Sequence, residues 1–489
     1  MKLCLVNHSF KYELEKLIRI FLPFEKIEFS NEMEKGENTA LTILTEAYAK
    51  AYLYINSNEY KYEMPLDRNS QDNKKEAELK LALCLYECFV SASNYIPEWG
   101  ILTGIRPAKL FSKFCKIMGE EKAEEYFKAY FKVNNNKISL CKQTHKSEEK
   151  IVSLSSEDSV SLYISIPFCP TRCTYCSFVS HSVENSKKLI PTYIEYLIKE
   201  LQITADIIKR LNLRLETIYI GGGTPTSLSA EQLKTLMKCV KDNFNLENLK
   251  EYTVEAGRPD TVTEEKLSVI KEFGATRISI NPQTMNDNVL SAIGRKHTAK
   301  QTLESFSLAR NLGFTNINMD LIAGLPTDTF ESFCETVENI IRLNPESVTV
   351  HSLSMKRSSS LTKQGLIFDN TAGETASKMV DFARQKLTEN KIFPYYMYRQ
   401  SKTIGNLENV GYSKKGKESL YNVFIMDETH SIFACGASAV TKLREVNGDY
   451  IERIFNYKYP YEYINQFDEI CNRKKGIEEF YAKFGRRNQ

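Results

Sequence analysis

The segment SLYISIPFCPTRCTYCSF places Cys169, Cys173 and Cys176 at C-x3-C-x2-C spacing, directly behind an apolar run that reads as a strand. Three thiolates this close in sequence can ligate three irons of one 4Fe–4S cubane, for which cysteine is the standard ligand. The fourth iron then stands open to a small molecule binding through oxygen and nitrogen. The competing reading is three buried or zinc-binding cysteines. Zinc favours four ligands drawn from C-x2-C pairs, and no second pair follows.

Further polar residues fall at the ends of candidate strands. Gly221, Gly222 and Gly223 end the second strand candidate, and Thr224 leads towards a helix. Glycines there let backbone groups approach a ligand closely, or simply make a tight turn. Glu255 ends a third strand, where a carboxylate needs donors such as the hydroxyls of a ribose diol. Gln283 and Asp320 read as ending the fourth and fifth strands, and Arg295 lies in IGRKH. Singly, each fits a surface or salt-bridge role; gathered at one mouth they make a site. Tyr163 precedes Cys169 by six residues and Tyr175 sits inside the cysteine loop, positions otherwise typical of core packing. His297, His351 and His430 read as structural histidines, and Cys84 and Cys88 as packing residues on one helix face.

The elements that position these residues repeat. SLYISIP, ETIYIGG, EYTVEA, TRISIN, NINMDLI and SVTVHS are strand candidates, with helices near 187–210, 228–244, 262–273, 299–311 and 328–343. A β-α repeat gives a parallel sheet with right-handed crossovers, and about six units make an open relative of the eightfold barrel, with chemistry at the strand C-termini. Residues 1–155 read as a separate α+β unit with one long helix in KKEAELKLALCLYECFVSASNY and another in FSKFCKIMGEEKAEEYFKAYF. It ends in the polar, serine-rich KSEEKIVSLSSEDSVS. Residues 156–370 then form the α/β barrel, and 371–489 a mostly helical C-terminal region.

The chain has 489 residues with 42% hydrophobic and 26% charged, so it is globular. Its 65 basic and 62 acidic residues nearly balance at +3, which excludes global electrostatic capture of nucleic acid. No apolar run is long enough to span a membrane, and MKLCLVNHSF makes a poor secretion signal. The expected compartment is the reducing cytoplasm, where grouped cysteines hold metal more often than disulfides.

The triplet resembles that of the radical S-adenosylmethionine (SAM) superfamily, in which SAM chelates the open iron. YISIPFCPTRCTYCSF, IYIGGGTPTSL, VEAGRPDT, SINPQTMND, IGRKH and DLIAGLP, in that order, resemble the oxygen-independent coproporphyrinogen III dehydrogenase family. LTGIRPAKL and YYMYRQSKTIGNLENVGY resemble its HemZ-type branch. The resemblance implies a partial (β/α)6 barrel with a 4Fe–4S cluster on Cys169, Cys173 and Cys176. It places Tyr163, Tyr175, Gly222, Gly223, Thr224, Glu255, Gln283, Arg295 and Asp320 on SAM, with Tyr175, Gln283 and Arg295 as candidate catalytic residues. The implied reaction is oxidative decarboxylation of coproporphyrinogen III to protoporphyrinogen IX, fed by a low-potential donor such as flavodoxin or ferredoxin. A substrate with four propionates calls for cations, and Lys356, Arg357 and Arg399 are the candidates. Two departures stand out. Phe178 occupies the place of a further cysteine in the best-known branch, and ENVGYS carries Glu408 and Ser413 where related haem chaperones have the histidine and tryptophan of HNxxYW. A haem-trafficking protein, or a radical SAM enzyme acting on another tetrapyrrole, is the alternative.

Overall fold

The computed structural model describes residues 1–67, 72–176, 178, 181–354, 370–446 and 448–485, which form two units. The first unit holds Met1–Lys142, the start of the helix Asn370–Glu389, and Tyr398–Glu408. Its strands β1 (Lys2–Val6), β2 (Glu28–Ser30), β3 (Thr39–Leu44), β4 (Tyr48–Ile55) and β5 (Asn58–Pro65) form one sheet in the order β2-β1-β3-β4-β5. The helix Asn73–Ser93 buries Leu81, Cys84, Leu85, Cys88 and Phe89 in one cluster with Leu3, Ala49, Ala51 and Leu53 of that sheet. The Cys84 and Cys88 thiols donate to the Ala49 and Ala51 carbonyls at 3.4 and 3.6 Å, so both are packing residues.

Two local expectations change. The second long helix is broken into Pro107–Met118 and Glu120–Ala129, because Gly119 takes φ 87°, outside any helix. The polar stretch expected as a junction is helical as far as Val152, within Asn135–Val152. Its buried face recurs at helical spacing but is largely polar, with Thr144, His145 and Glu148 between Cys141 and Ile151, so no apolar period advertises it.

The second unit carries the repeat. Its strands are β6 (Ser159–Ile166), β7 (Phe168–Cys169), β8 (His181–Ser182), β9 (Arg214–Gly222), β10 (Glu251–Glu255), β11 (Arg277–Ser279), β12 (Ile317–Ala323) and β13 (Ser347–Ser352). All six strands expected from sequence are present, parallel and adjacent in the order β6-β9-β10-β11-β12-β13. Both faces of β6 and β9 are buried, which is why their sequences read as nearly continuous apolar runs. Crossover helices at Leu189–Arg210, Ala230–Asn243, Glu264–Glu272, Ala299–Asn311 and Phe330–Leu343 match those expected. Ser229, Thr263, Thr298 and Thr329 cap the last four, fixing where each strand-to-helix loop ends.

Beyond residue 370 there is more helix than strand, yet five strands that the sequence reading did not mark out also occur. They are β14 (Phe393–Arg399), β15 (Glu408–Ser413), β16 (Ser431–Cys435), β17 (Val440–Arg444) and β18 (Ile451–Phe455). They extend the six-stranded core at both edges: β15 lies antiparallel to β13 and β16 parallel to β6, giving eleven strands in one sheet. The added strands cover edges that a parallel core would otherwise leave unpaired. Among the described residues no helix is long and apolar enough to cross a membrane.

The helix ends at Val152, and 153–157 is mostly exposed loop. Limited proteolysis is therefore expected to cut first within 153–157 rather than in the helical 143–152. Fragment masses check this; first cuts inside the helix would refute it.

Candidate functional site

Cys169 closes β7, the short strand after β6, and pairs with Ser182 of β8. Beyond it the loop turns so that the Cys176 N–H donates to the Cys173 carbonyl at 3.2 Å. Two carbonyls of the 293–294 turn brace this loop: Thr174 N–H donates to Ile293 O at 3.0 Å, and the Thr171 hydroxyl to Gly294 O at 3.2 Å. From the other side, Arg258 Nη1 donates to Thr171 Oγ1 at 3.0 Å and lies 3.9 Å from Cys173 Sγ. Asp260 grips that guanidinium through two bonds of 2.9 and 2.7 Å.

The glycine loop after β9 lies against this loop. Gly223 N–H donates to Ile166 O and Thr224 N–H to Phe168 O, both at 2.8 Å, and the Thr224 hydroxyl reaches Cys169 Sγ at 3.4 Å. A Cβ at Gly223 would stand 2.6 Å from Phe168 O and 3.0 Å from Cys169 Sγ. Those two N–H groups are thus engaged with the protein rather than open to a ligand, and Gly223 is glycine because the cysteine strand passes over it.

The other candidates gather at the same end of the sheet. Glu255 accepts from the Tyr219 hydroxyl at 2.6 Å. Desolvation pushes the Glu255 carboxyl up to about 7; the Tyr219 bond opposes that rise and the nearby Asp320 charge adds to it. Asp320 sits in the middle of β12 rather than at its end, accepting from Asn318 Nδ2 at 2.7 Å with His351 Nε2 3.8 Å away. Burial would raise the Asp320 carboxyl, but the bonds and charge from His351 with the bonds from Asn318 and Thr349 outweigh it and hold it below the usual range. Gln283 lies four residues past β11, bridged to Leu321, at φ 70°, a strained setting for a non-glycine residue. It is 6% exposed, and its Oε1 has no hydrogen-bond partner. Arg295 donates to Tyr175 Oη at 3.1 Å and to the Gly257 and Asn281 carbonyls at 3.2 Å, leaving its buried Nε unpartnered. Tyr163 stacks in a group with Tyr219 and Tyr421.

The remaining expectations divide. Lys356 and Arg357 lie outside the described residues. Arg399 is engaged by backbone carbonyls. It is 4% exposed in the first unit, donates to Leu102 O and Asn406 O at 2.6 and 3.2 Å, and stacks over Trp99. Its Nη1 and Nη2 are thus given to backbone carbonyls, while its buried Nε has no hydrogen-bond partner. His430 lies between the Ser161 and Ser155 hydroxyls, and burial pulls it down to about 3. His297 is 2% exposed with neither ring nitrogen partnered, and burial followed by the Arg295 charge lowers it to about 4. Arg258, Asp260, Tyr219 and Tyr421 were not singled out from sequence. Arg258 and Asp260 could have been, since both stand inside VEAGRPDT.

Residues 163–340 match the model of the Radical SAM superfamily. The oxygen-independent coproporphyrinogen-III oxidase-like protein HemZ of Bacillus subtilis is 40% identical over 79% of this chain and 78% of its own length. The chain belongs to the radical SAM superfamily, in the coproporphyrinogen-III oxidase-like family. The Heme chaperone HemW of the same organism is 33% identical over 66% of this chain and 82% of its own. Among solved structures, the coproporphyrinogen III oxidase HemN of Escherichia coli shares the fold, with a TM-score of 0.52 at 24% identity over 66% of this chain and 72% of that one. The cofactors of this radical SAM chain are accordingly a 4Fe–4S cluster and SAM. The residues fit them: three thiols on one braced loop, an unpartnered buried Nε on Arg295, which bonds Tyr175 of that loop, and an unpartnered Oε1 on buried Gln283.

Replacing Cys169, Cys173 or Cys176 with alanine should abolish cluster retention and SAM cleavage, whereas Cys84→Ala should keep its iron. Gly223→Ala forces backbone apart at a strain of about 1–3 kcal/mol and should lower cluster retention while the circular dichroism spectrum stays that of the parent. Iron and sulfide analysis of anaerobic preparations checks all of these; a full cluster in Cys173→Ala would refute the ligand assignment.

Proposed function

We propose that the protein catalyses the oxygen-independent oxidative decarboxylation of coproporphyrinogen III to protoporphyrinogen IX in porphyrin biosynthesis. The observation that carries this reading is the likeness to HemZ, which runs through most of the chain. Cys169, Cys173 and Cys176 would hold the cluster, and Tyr175, Glu255, Gln283, Arg295 and Asp320 would hold SAM with the glycine loop behind them. When bound, these cofactors supply a 5′-deoxyadenosyl radical by reductive cleavage of SAM. The substrate propionate gives up one hydrogen atom, then carbon dioxide and one electron, leaving a vinyl group; a second propionate is treated alike. The protein's part is to orient. Arg295 fixes the Tyr175 hydroxyl and two loop carbonyls, while Asn318 and His351 keep Asp320 ionised to receive an ammonium group. Lys356 and Arg357 remain the proposed propionate contacts. A low-potential protein such as flavodoxin or ferredoxin would feed the cluster in the cytoplasm.

The likeness to the Heme chaperone HemW supports a second reading, haem binding and delivery. One observation weighs against it. Glu408, where the chaperone pattern has its histidine, is 1% exposed and held by Lys137 Nζ and Trp99 Nε1 at 2.7 Å each. Ser413, at the tryptophan position, is also buried, its hydroxyl donating to Glu346 O and Lys414 O. Neither side chain is presented to a macrocycle.

Anaerobic incubation with coproporphyrinogen III, SAM and dithionite should yield a product lighter by two carboxyl groups and their accompanying hydrogens, read by mass. Stoichiometric haem binding with no vinyl product would instead establish the chaperone reading.

A further inference from the structure

Tyr219 of β9 and Glu255 of β10 are held together more tightly than a single 2.6 Å hydrogen bond requires. The Tyr421 ring stacks on the Tyr219 ring with centroids 4.6 Å apart and planes 26° apart, and Tyr163 closes the group at 6.2 and 6.3 Å. On its other flank Tyr219 meets Gly221, where a Cβ would fall 2.7 Å from its ring and 3.1 Å from the Glu255 carboxylate. Tyr421 is itself pinned. It lies in the first turn of the helix Leu420–Asp427, whose N-terminus donates to Glu251. Glu251 accepts from the Ser419 hydroxyl at 2.9 Å and from the Leu420 and Tyr421 N–H groups at 2.7 and 3.3 Å. One strand, β10, therefore carries both the site carboxylate and the carboxylate that seats the ring behind it.

We propose that Tyr219 and Tyr421 are positioning residues for SAM: Tyr219 orients and keeps ionised the Glu255 carboxylate that accepts the ribose hydroxyls, and Tyr421 clamps the Tyr219 ring. This deepens the proposed site and rests on the reading of Glu255 as the ribose acceptor. A diol offers two donors, so it binds the carboxylate form better than the acid. Glu255 titrates near neutrality because of desolvation. Asp320 raises it further, His351 and the Gly222 N–H lower it, Tyr163 and Tyr421 stand alongside as neutral phenols, and the Tyr219 hydroxyl is the strongest stabilising contact. Without that hydroxyl the carboxyl pKa rises, so less carboxylate exists at neutral pH and more is regained as pH increases.

The test is SAM titration of the anaerobically reconstituted, cluster-containing protein, read by equilibrium binding between about pH 6.5 and pH 9. Tyr219→Phe should bind SAM about tenfold more weakly near neutral pH and recover towards wild type at the alkaline end, with cluster content unchanged. Tyr421→Leu, which keeps the hydroxyl but frees the ring, should show a smaller loss with the same recovery. Glu255→Gln should bind weakly at every pH. Wild-type affinity in Tyr219→Phe, or a loss that no pH restores, would overturn the positioning role. Unchanged affinity in Glu255→Gln would instead fault the ribose assignment. Should Tyr219→Phe not retain its cluster, Tyr421→Leu decides alone, and a flat pH response there overturns the proposal.

Discussion

The pairing of β6 with β9 does not stop where the strands stop. Gly223 N–H and Thr224 N–H continue it to Ile166 O and Phe168 O, so the strand that carries the first cysteine is stitched to the second loop of the barrel. Everything chemical in the second unit depends on this extension. It requires a residue without a side chain at 223, since any Cβ meets the backbone of β7. It fixes Cys169 relative to the glycine loop, and the Arg258–Asp260 pair and the 293–294 carbonyls then fix Cys173 relative to the next two loops. The cysteine loop is thereby held from three strand ends at once. That rigidity is what a loop contributing three ligands to one cluster needs, because small displacements of any ligand would distort the others.

The carboxylates around the sheet show how one residue type is steered to different ends. Asp260 is matched by a bidentate arginine, and removing Asp260 would strand the buried Arg258 charge at about 3–5 kcal/mol. Glu200 is buried against Lys474, Tyr463, Asn456 and Gly436 N–H and serves as a structural knot. Glu251 faces the N-terminus of the helix Leu420–Asp427 and accepts from the Leu420 and Tyr421 N–H groups. Glu255, four residues further along the same strand, is supported by the Tyr219 phenol, the Gly222 amide and the His351 charge, and desolvation still raises its pKa. A carboxylate left undersupplied in this way stands ready for donors that a ligand brings.

Much of this was readable in the chain itself, and the misreadings have physical causes. The cysteine spacing, six strands and five crossover helices are local patterns, so they survive the passage from sequence to fold. The strands beyond residue 370 are short, and β16 lies buried in the sheet without polar alternation, so SIFAC carried no period. The aromatic neighbours of Arg399 in sequence, YYMYR, look alike whether they line a pocket or a core, and only the fold brings its guanidinium over Trp99, 300 residues away. Tyr219 and Tyr421 went unmarked for the same reason: one is in the middle of an apolar strand, the other in a helix with no catalytic signature, and only the fold brings them to Glu255.

The C-terminal segment is therefore part of the site rather than an appendage to it. β16 supplies the second neighbour of β6, with Ser431 to Cys435 in parallel register against Val160 to Ile164. The Tyr193 hydroxyl donates to Ser165 O at 2.8 Å and accepts from Ala437 N–H at 2.9 Å, and the Ser165 hydroxyl donates to Ala437 O at 2.8 Å. These bonds close around the last turn of β6 just before the chain enters β7 and the cysteines. Gly436, at φ 98°, permits the approach, since a side chain there would strike Ser165 O and the Tyr193 hydroxyl at 2.6 Å. With β9 on one side and β16 on the other, β6 has no free edge along which to slip, and a one-residue slip would turn every side chain of the strand to the opposite face. The register of the cysteine loop is thus set from both flanks, and one of those flanks comes from a part of the chain more than 250 residues further on.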